Sequence, residues 1–282
     1  MTSETERRTV AARALVDRCP PGLGSEIAIT GSVSKALADA DSDIEINFWV
    51  DGPLDRAAID TWVASLDVGE VLPDPGTEED TRWLGFAWQE TWIEAGWQSI
   101  SEAERVIGQL LAAERIDHHG LMFGEVVTTA LPLRSAGRLQ LWKERLAHYP
   151  DALAEGLIDQ QLAFWSYEHW MRSRWADLRR GQWLPHLRRL EDDLAGCLRI
   201  VFALNRRWEP DWKWLDHYLA DLPVAPAQFS ERIGAIALEP DTTRRVTALY
   251  ALVLDTIALV PPSPRAAKAR EVVERCLAAR PV

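Results

Sequence analysis

The chain has 282 residues, 47% of them hydrophobic, and a formal net charge of −12. This length and composition are typical of a globular protein with one large domain or two ordinary domains, and the length favours two domains. The acidic balance argues against extended binding to DNA or RNA, because basic surface supplies most of the affinity for a nucleic-acid backbone.

The cysteines and the apolar runs indicate the compartment. The three cysteines are isolated, and none has the spacing of a zinc site or a redox motif. The N-terminus carries no apolar signal core, and no apolar run of about 18 residues occurs. We expect a cytoplasmic protein with no membrane partner, and the oligomeric state stays open.

Strand and helix patterns alternate over roughly the first 116 residues. A polar loop is predicted over residues 71–80, and Gln89-Glu90 is predicted as the turn of a hairpin. Ser101 with Glu104 has the spacing of a capping box at a helix start. The predicted helices are 2–18, a short one within 32–39, 55–67 and one from Ser101; the predicted strands are 25–30, 43–50, 82–88 and 91–100.

Helical periodicity dominates after about residue 134, while residues 117–133 are ambiguous. The pattern predicts an α+β domain, a short mixed sheet flanked by helices, over residues 1–120. An all-α helical-bundle domain is expected to follow over 121–282. Its predicted helices are 135–147, 151–180, 184–206, 211–220, 226–238, 241–260 and 264–279.

Two acids, Asp43 and Glu45, open the strand "DIEINFWV" ten residues after Gly31-Ser32. Residues two apart on a strand share a face, so the carboxylates lie roughly 6–7 Å apart and repel each other. Mg²⁺ would resolve this conflict, because it is commonly held by one or two carboxylates together with substrate phosphates. Gly31 allows close backbone approach, and Ser32 offers a hydroxyl and an amide to a phosphate.

The Gly-Ser pair, the ten-residue spacing and the segment "SDIEI" resemble the signature of the DNA polymerase β-like nucleotidyltransferase superfamily. Lys35 falls where small members often carry Arg, and Ala36 replaces the glycine often found next. The resemblance implies that Asp43 and Glu45 bind Mg²⁺. It also implies that Gly31, Ser32 and Lys35 contact a nucleoside triphosphate.

These enzymes usually add a third carboxylate from a later strand, which serves as general base or metal ligand. On strand 91–100 the alignment selects Glu94 or, in another register, Gln98, which cannot act as a base. We favour Glu94 as the base. Glu90 and Glu125 are further candidates.

The segments "LWKERLAHYPDAL" and "ALNRRWEPDWKWL" resemble the helical C-terminal domain of the DUF4037 type. The whole layout is similar to that of aminoglycoside and lincosamide nucleotidyltransferases. Lys213 is the candidate that reaches the triphosphate, and Asn205 the candidate that binds nucleotide or substrate. The alternatives are a surface cation for Lys213 and a helix C-cap for Asn205.

The sequence therefore predicts Mg²⁺-dependent transfer of a nucleoside monophosphate, AMP from ATP, to a hydroxyl of a small molecule with release of pyrophosphate. One alternative makes the acceptor a tRNA end or a protein, as in toxin-type enzymes. Another is a nucleotide-binding module without catalysis. The sequence does not identify the acceptor, and it does not determine which base the nucleotide carries.

Overall fold

The computed structural model describes residues 3–73 and 80–279. The chain forms two compact units, Met1–Leu111 with Phe123–His148, and Ala112–Met122 with Tyr149–Val282. Compared with the predicted ranges 1–120 and 121–282, residues 123–148 belong to the first unit and residues 112–122 to the second. The first unit is α+β and the second is helical, as the sequence predicts.

The first unit is built on one mixed six-stranded sheet. Its elements are α1 (Ser3–Asp17), β1 (Glu26–Ile29), α2 (Gly31–Ser34), β2 (Ile44–Val50), α3 (Arg56–Ala64), β3 (Val71–Pro73), β4 (Thr81–Trp88), β5 (Thr91–Ser99), α4 (Ile100–Leu111), α5 (His118–Thr129, shared with the second unit), β6 (Leu131–Arg134) and α6 (Arg138–Leu146). The strand order is β3-β4-β5-β2-β1-β6, and β2 and β5 are parallel whereas the other neighbours are antiparallel.

Alternation along β2 decides which face of the sheet is buried. Ile44, Ile46 and Phe48 are fully buried in the core of this unit, whereas Glu45 and Asn47 are half-buried. Successive strand residues point to opposite faces, so the polar residues of β2 share the face that the core leaves open. The same alternation in β5 buries Ile93 and exposes Glu94.

The hairpin β4–β5 forms as predicted, with Gln89 and Glu90 at its turn. Both turn residues have positive φ, 47° and 63°. Two-residue hairpin turns of this kind match the twist of the strands that they join.

The segment left ambiguous, 117–133, holds helix α5 and most of strand β6. Two local predictions for the first unit are wrong. Residues 71–73 of the predicted loop form strand β3, and residues 74–79 lie outside the described part. The cap of α4 is Ser99 rather than Ser101: Ser99 Oγ accepts the amide of Glu102 at 3.1 Å, and Glu104 accepts the Trp142 indole at 2.7 Å.

The second unit is a helical bundle, and no strand occurs in its described residues. The predicted helix 151–180 is two helices, because the chain leaves helical geometry at Tyr167. The helices are α7 (Asp151–Trp165), α8 (Glu168–Arg179), α9 (Trp183–Leu204), α10 (Leu215–Leu219), α11 (Phe229–Leu238), α12 (Thr242–Leu259) and α13 (Pro264–Ala278). No helix in the described parts of the chain is long and apolar enough to cross a membrane.

Candidate active site

Asp43 and Glu45 occupy the start of β2. Asp43 directly precedes the strand, and Glu45 follows the buried Ile44. The two acids therefore share the open face of the sheet. Within residues 3–73 and 80–279, the Oδ1 atom of Asp43 is buried and has no hydrogen-bond partner. Such an atom is rare in folded proteins and is expected where a ligand or an ion completes its bonding.

Gly31 lies against the carboxylate of Glu45. The glycine has φ +63°, and a Cβ added there would lie 2.5 Å from the carboxyl carbon of Glu45. A backbone hydrogen bond from the Thr30 amide to the Glu45 carbonyl, at 2.9 Å, holds the two segments together. Only glycine satisfies both the left-handed backbone and the close approach.

Ser32 lies next to this contact and is 3% exposed. Its Oγ atom is a second buried polar atom without a partner in the described structure. Asn47, which shares the open face with Glu45, donates from Nδ2 to the Thr30 hydroxyl at 2.8 Å. Asn47 thus holds Thr30, the residue before the Gly-Ser pair. In the sequence, the only indication that Asn47 belongs to the site is its two-residue spacing from Glu45, which puts both side chains on one face.

The strand register selects among the candidate third acids. Glu94 is the direct neighbour of Glu45 across the parallel pair β2–β5, so the two side chains share one face. Adjacent strands lie about 4.8 Å apart. Gln98 is instead the neighbour of Trp49, and Glu90 lies in the hairpin turn. Glu94 is thus the candidate that lies beside the acids of β2.

Lys35 and Glu125 form an ion pair at 3.3 Å, with side chains 10% and 4% exposed. A buried lysine needs such a counter-charge, because desolvation alone disfavours its charged form. Lys35 follows α2 directly, so this pair lies just after the Gly-Ser segment. The structure therefore gives Glu125 a partner in this unit, and phosphate binding by Lys35 stays a prediction.

Asn205 and Lys213 belong to the second unit. Asn205 is the C-cap of α9, and its side chain bonds the carbonyls of Val201 and Val224 and accepts the Val224 amide at 3.0 Å. These bonds agree with the alternative in which Asn205 caps the C-terminus of a helix. Lys213 is exposed, and its backbone amide donates to Asp211.

A cluster that the sequence does not single out surrounds Glu209 in the second unit. Glu209 is 1% exposed, and its Oε1 contacts Nδ1 of His118 at 3.0 Å. Its Oε2 lies 3.5 Å from Nε of Arg199. The hydrogen bond to Glu209 raises the pKa of His118 above its ordinary value, and burial of the imidazole opposes the shift.

Among the described residues, no group of three or more His, Cys, Asp or Glu side chains is placed to hold a metal ion. Asp43 and Glu45 offer a smaller set, two hard carboxylates with one buried oxygen that lacks a partner. This set fits Mg²⁺, which usually takes one or two protein carboxylates and completes its shell with water and substrate phosphates.

Comparison with known families finds a match over the middle part of the chain. Residues 114–215 match the model of a family described as a domain of unknown function, DUF4037. The resemblance predicted from the helical segments is confirmed over this range.

Among solved structures, the chain is similar to a nucleotidyltransferase-like protein from Exiguobacterium sibiricum 255-15. The identity is 12%, the TM-score is 0.39, and the match covers 92% of this chain and 77% of that chain. No curated protein is similar enough to this chain to count as a match.

Proposed function

We propose that the first unit transfers a nucleoside monophosphate from a nucleoside triphosphate, ATP in the first instance, to a hydroxyl of a small molecule. The observation that carries the proposal is the arrangement of Asp43, Glu45 and Glu94. These acids share one face of neighbouring strands, and Gly31 and Ser32 adjoin Glu45. Three carboxylates on one face need positive charge, and a metal-bound triphosphate supplies it.

Asp43 and Glu45 are the residues that would hold Mg²⁺. The ion, when bound, would neutralise the triphosphate and the charge that develops on the leaving group. The buried Ser32 hydroxyl would donate to a phosphate oxygen, which gives it the partner that it lacks in the described structure. Gly31 leaves space for the Glu45 carboxylate, and so it positions one metal ligand directly.

Glu94 takes the part of general base. The acceptor oxygen forms a bond to the α-phosphorus, its proton passes to Glu94, and the bond between that phosphorus and the bridging oxygen breaks. The electron pair of the broken bond leaves with pyrophosphate. Glu94 is exposed on the open face, so an acceptor reaches it from solvent. Positioning and electrostatics contribute most of the rate in such a reaction.

Lys213 is exposed on the second unit, and its predicted role as a point charge for pyrophosphate stays a prediction. Lys35 is proposed to add positive charge near the Gly-Ser segment, with Glu125 as its partner in the described structure. Asn205 also stays a prediction as a nucleotide or substrate contact, and its side chain bonds the backbone of Val201 and Val224 in its own unit.

Release of pyrophosphate from ATP labelled at the α-phosphate tests the proposal. The wild-type protein, incubated with Mg²⁺ and a panel of small hydroxyl compounds, should release pyrophosphate and label one class of acceptor. Glu94→Gln should bind Mg·ATP with unchanged affinity and lose on the order of 10²-fold in transfer, because a positioned base contributes 10²–10⁴-fold. Mg·ATP binding with no release of pyrophosphate for any acceptor would instead indicate a nucleotide-binding module.

A further inference from the structure

A slot opens on the same face of the sheet, next to Glu94. Its volume is about 320 Å³, and Leu72, Pro73, Trp83, Leu84, Gly85, Trp92 and Glu94 line it. The site described above does not use Trp83 and Trp92. Trp92 is 38% exposed and Trp83 is half-buried. Two incompletely buried indoles beside a carboxylate call for a reason, because large aromatic side chains are ordinarily buried more completely.

The rings of both indoles lie close against glycines of the neighbouring strand. Gly96 is the cross-strand neighbour of Trp83, and a Cβ there would lie 2.7 Å from the indole ring. A Cβ at Gly85 would lie 2.6 Å from the ring of Trp92. Side chains at either glycine would lift the ring above it. Two strand positions therefore carry no side chain, which allows both indoles to lie close to the backbone.

Glu94 lies between these indoles. Trp92 and Gly96 flank it at two positions along β5, on the same face, and Gly85 is its neighbour on β4. The Trp83 ring covers Gly96, so one indole lies on each side of the carboxylate along the strand. Leu72 of β3, which is 47% exposed, adds an apolar wall beyond Gly85. A molecule in the slot therefore touches apolar faces with its body and Glu94 with a polar edge.

The order of the strands gives this slot its place in the reaction. Gly31 and Ser32 follow β1, Asp43 and Glu45 lie at the start of β2, Glu94 lies on β5, and the slot lies on β5, β4 and β3. The groups assigned to phosphate and the slot thus lie on opposite sides of β2 and Glu94. A molecule in the slot therefore reaches Glu94 from the side opposite the groups assigned to phosphate.

We infer that Trp83 and Trp92 bind the acceptor of the transfer, and that this acceptor is a compound with a flat ring carrying a hydroxyl on or next to the ring. The inference rests on the proposed function. The ring stacks on the indoles, since aromatic faces favour offset or edge contacts with other rings. Its hydroxyl then lies at Glu94, which takes the proton as the oxygen bonds to the α-phosphorus.

Titration with 2-naphthalenemethanol, followed by NMR of the indole N–H signals, tests the slot without any nucleotide. The probe should shift the signals of Trp83 and Trp92, and 1-octanol, which has no ring, should bind at least tenfold more weakly. Trp83→Ala and Trp92→Ala should each weaken the probe at least tenfold. Trp183→Ala, at an exposed tryptophan of the second unit, is the matched control and should change nothing.

Leu72→Glu covers the case in which a tryptophan variant does not fold, because Leu72 is exposed and its replacement leaves both indoles in place. It should also weaken the probe, since it adds a charge to the apolar wall. Equal affinity in Leu72→Glu and in the wild type would overturn the inference. An ATP analogue that shifts both indole signals, in place of the probe, would overturn it as well, because the slot would then hold the base.

The two proposals fail separately. Probe binding in a protein that never releases pyrophosphate supports the slot and overturns the proposed function alone. Transfer with an unchanged KM for the acceptor in Trp92→Ala and Leu72→Glu overturns the slot alone. Asp43→Asn should leave the affinity for the probe unchanged.

Discussion

Two carboxylates lie at opposite ends of the antiparallel pair β1–β2, and their oxygen atoms are satisfied to very different extents. Glu26, at the start of β1, is buried and accepts four hydrogen bonds, from the Ser135 hydroxyl at 2.5 Å and from the amides of Ala136, Arg138 and Leu139. These bonds cap helix α6. Asp43, before β2, has a buried oxygen with no partner in the described structure.

Arg134 extends the satisfied end. Its guanidinium donates to four carbonyls, at distances of 2.8 to 3.4 Å, those of Val16, Cys19, Pro20 and Gly24. At the other end, Ser32 adds a second unpartnered oxygen to that of Asp43. Buried polar groups with complete bonding hold a fold together, whereas groups without partners lower stability unless a ligand binds them. The comparison therefore separates an end of the pair with complete bonding, here called the structural end, from an end with unpartnered oxygen atoms. The proposed site lies at this second end, which is called the binding end.

Asp43→Asn gives the largest expected effect. The amide keeps the shape of the side chain and removes one charge, so transfer should fall on the order of 10³-fold. The free energy of unfolding should change by less than about 1 kcal/mol, because the lost oxygen has no partner in the described structure. Asp41→Asn, at an exposed acid of the same loop, is the control and should retain full activity. Equal activity of Asp43→Asn and Asp41→Asn would contradict the assignment of a binding end to Asp43.

Glu26→Ala should have the opposite profile. Loss of the cap leaves buried donors without acceptors, so denaturant unfolding should show a loss of about 3 kcal/mol. Transfer per folded molecule should stay within about twofold, since Glu26 belongs to the structural end. Glu70→Ala, at an exposed acid, should shift the unfolding free energy by less than about 0.5 kcal/mol. A selective loss of transfer in Glu26→Ala would contradict this assignment.

Gly31→Ala sharpens the comparison at the binding end. The left-handed backbone costs an alanine about 1 kcal/mol, and its Cβ also displaces the Glu45 carboxylate. Gly52→Ala is a matched control, because Gly52 has φ +84° and no atom within 4 Å of an added Cβ. Both variants should lose the backbone contribution, and Gly31→Ala should lose more stability because its Cβ also meets the Glu45 carboxylate. Only Gly31→Ala should lower transfer, by roughly tenfold to a hundredfold if the ligand moves by about 1 Å.

The smallest expected effect is a change in the pKa of His118, which tests the ion pair between His118 and a third carboxylate, the buried Glu209. The raised pKa of His118 should be visible by NMR titration and should fall in Glu209→Gln, while Glu231→Gln, at an exposed acid of the same unit, should leave it unchanged. Because the folded-state pKa is raised, the pair stabilises the protein fully below the ordinary value of 6.5. This stabilisation disappears as the pH rises through the folded-state pKa.

Unfolding experiments give the same sign. The stability difference between the wild type and His118→Gln should be larger near pH 5 than near pH 9, two values that lie on either side of the titration. A difference that grows with rising pH would contradict the ion pair between His118 and Glu209.

The sequence predicts the larger elements well and the edges of the sheet poorly. Strand β2 and the hairpin β4–β5 are recognisable because their alternation runs over seven to nine residues. β3 and β6 have three and four residues, too few for a period to show, and both lie at edges of the sheet. Their pairing comes from neighbours distant in the sequence, which local patterns do not encode.

The candidate site divides in the same way. The spacing within one strand places Asp43 and Glu45 together, so this part of the site follows from the sequence. The choice between Glu94 and Gln98 depends on the register of β5 against β2, which a single sequence leaves open. Trp83 and Trp92 give no signal of their own, because the glycines against which their rings lie belong to the neighbouring strand.

The most direct test of the account is calorimetry of a non-hydrolysable ATP analogue, with and without Mg²⁺, on the wild-type protein and on Asp43→Asn. The account predicts that the analogue binds the wild type only with Mg²⁺ and binds Asp43→Asn at least a hundredfold more weakly. The reason is that the ion which would hold the phosphates loses one of its two carboxylate ligands. Equal affinity for the analogue in both proteins, or binding that ignores Mg²⁺, would contradict it.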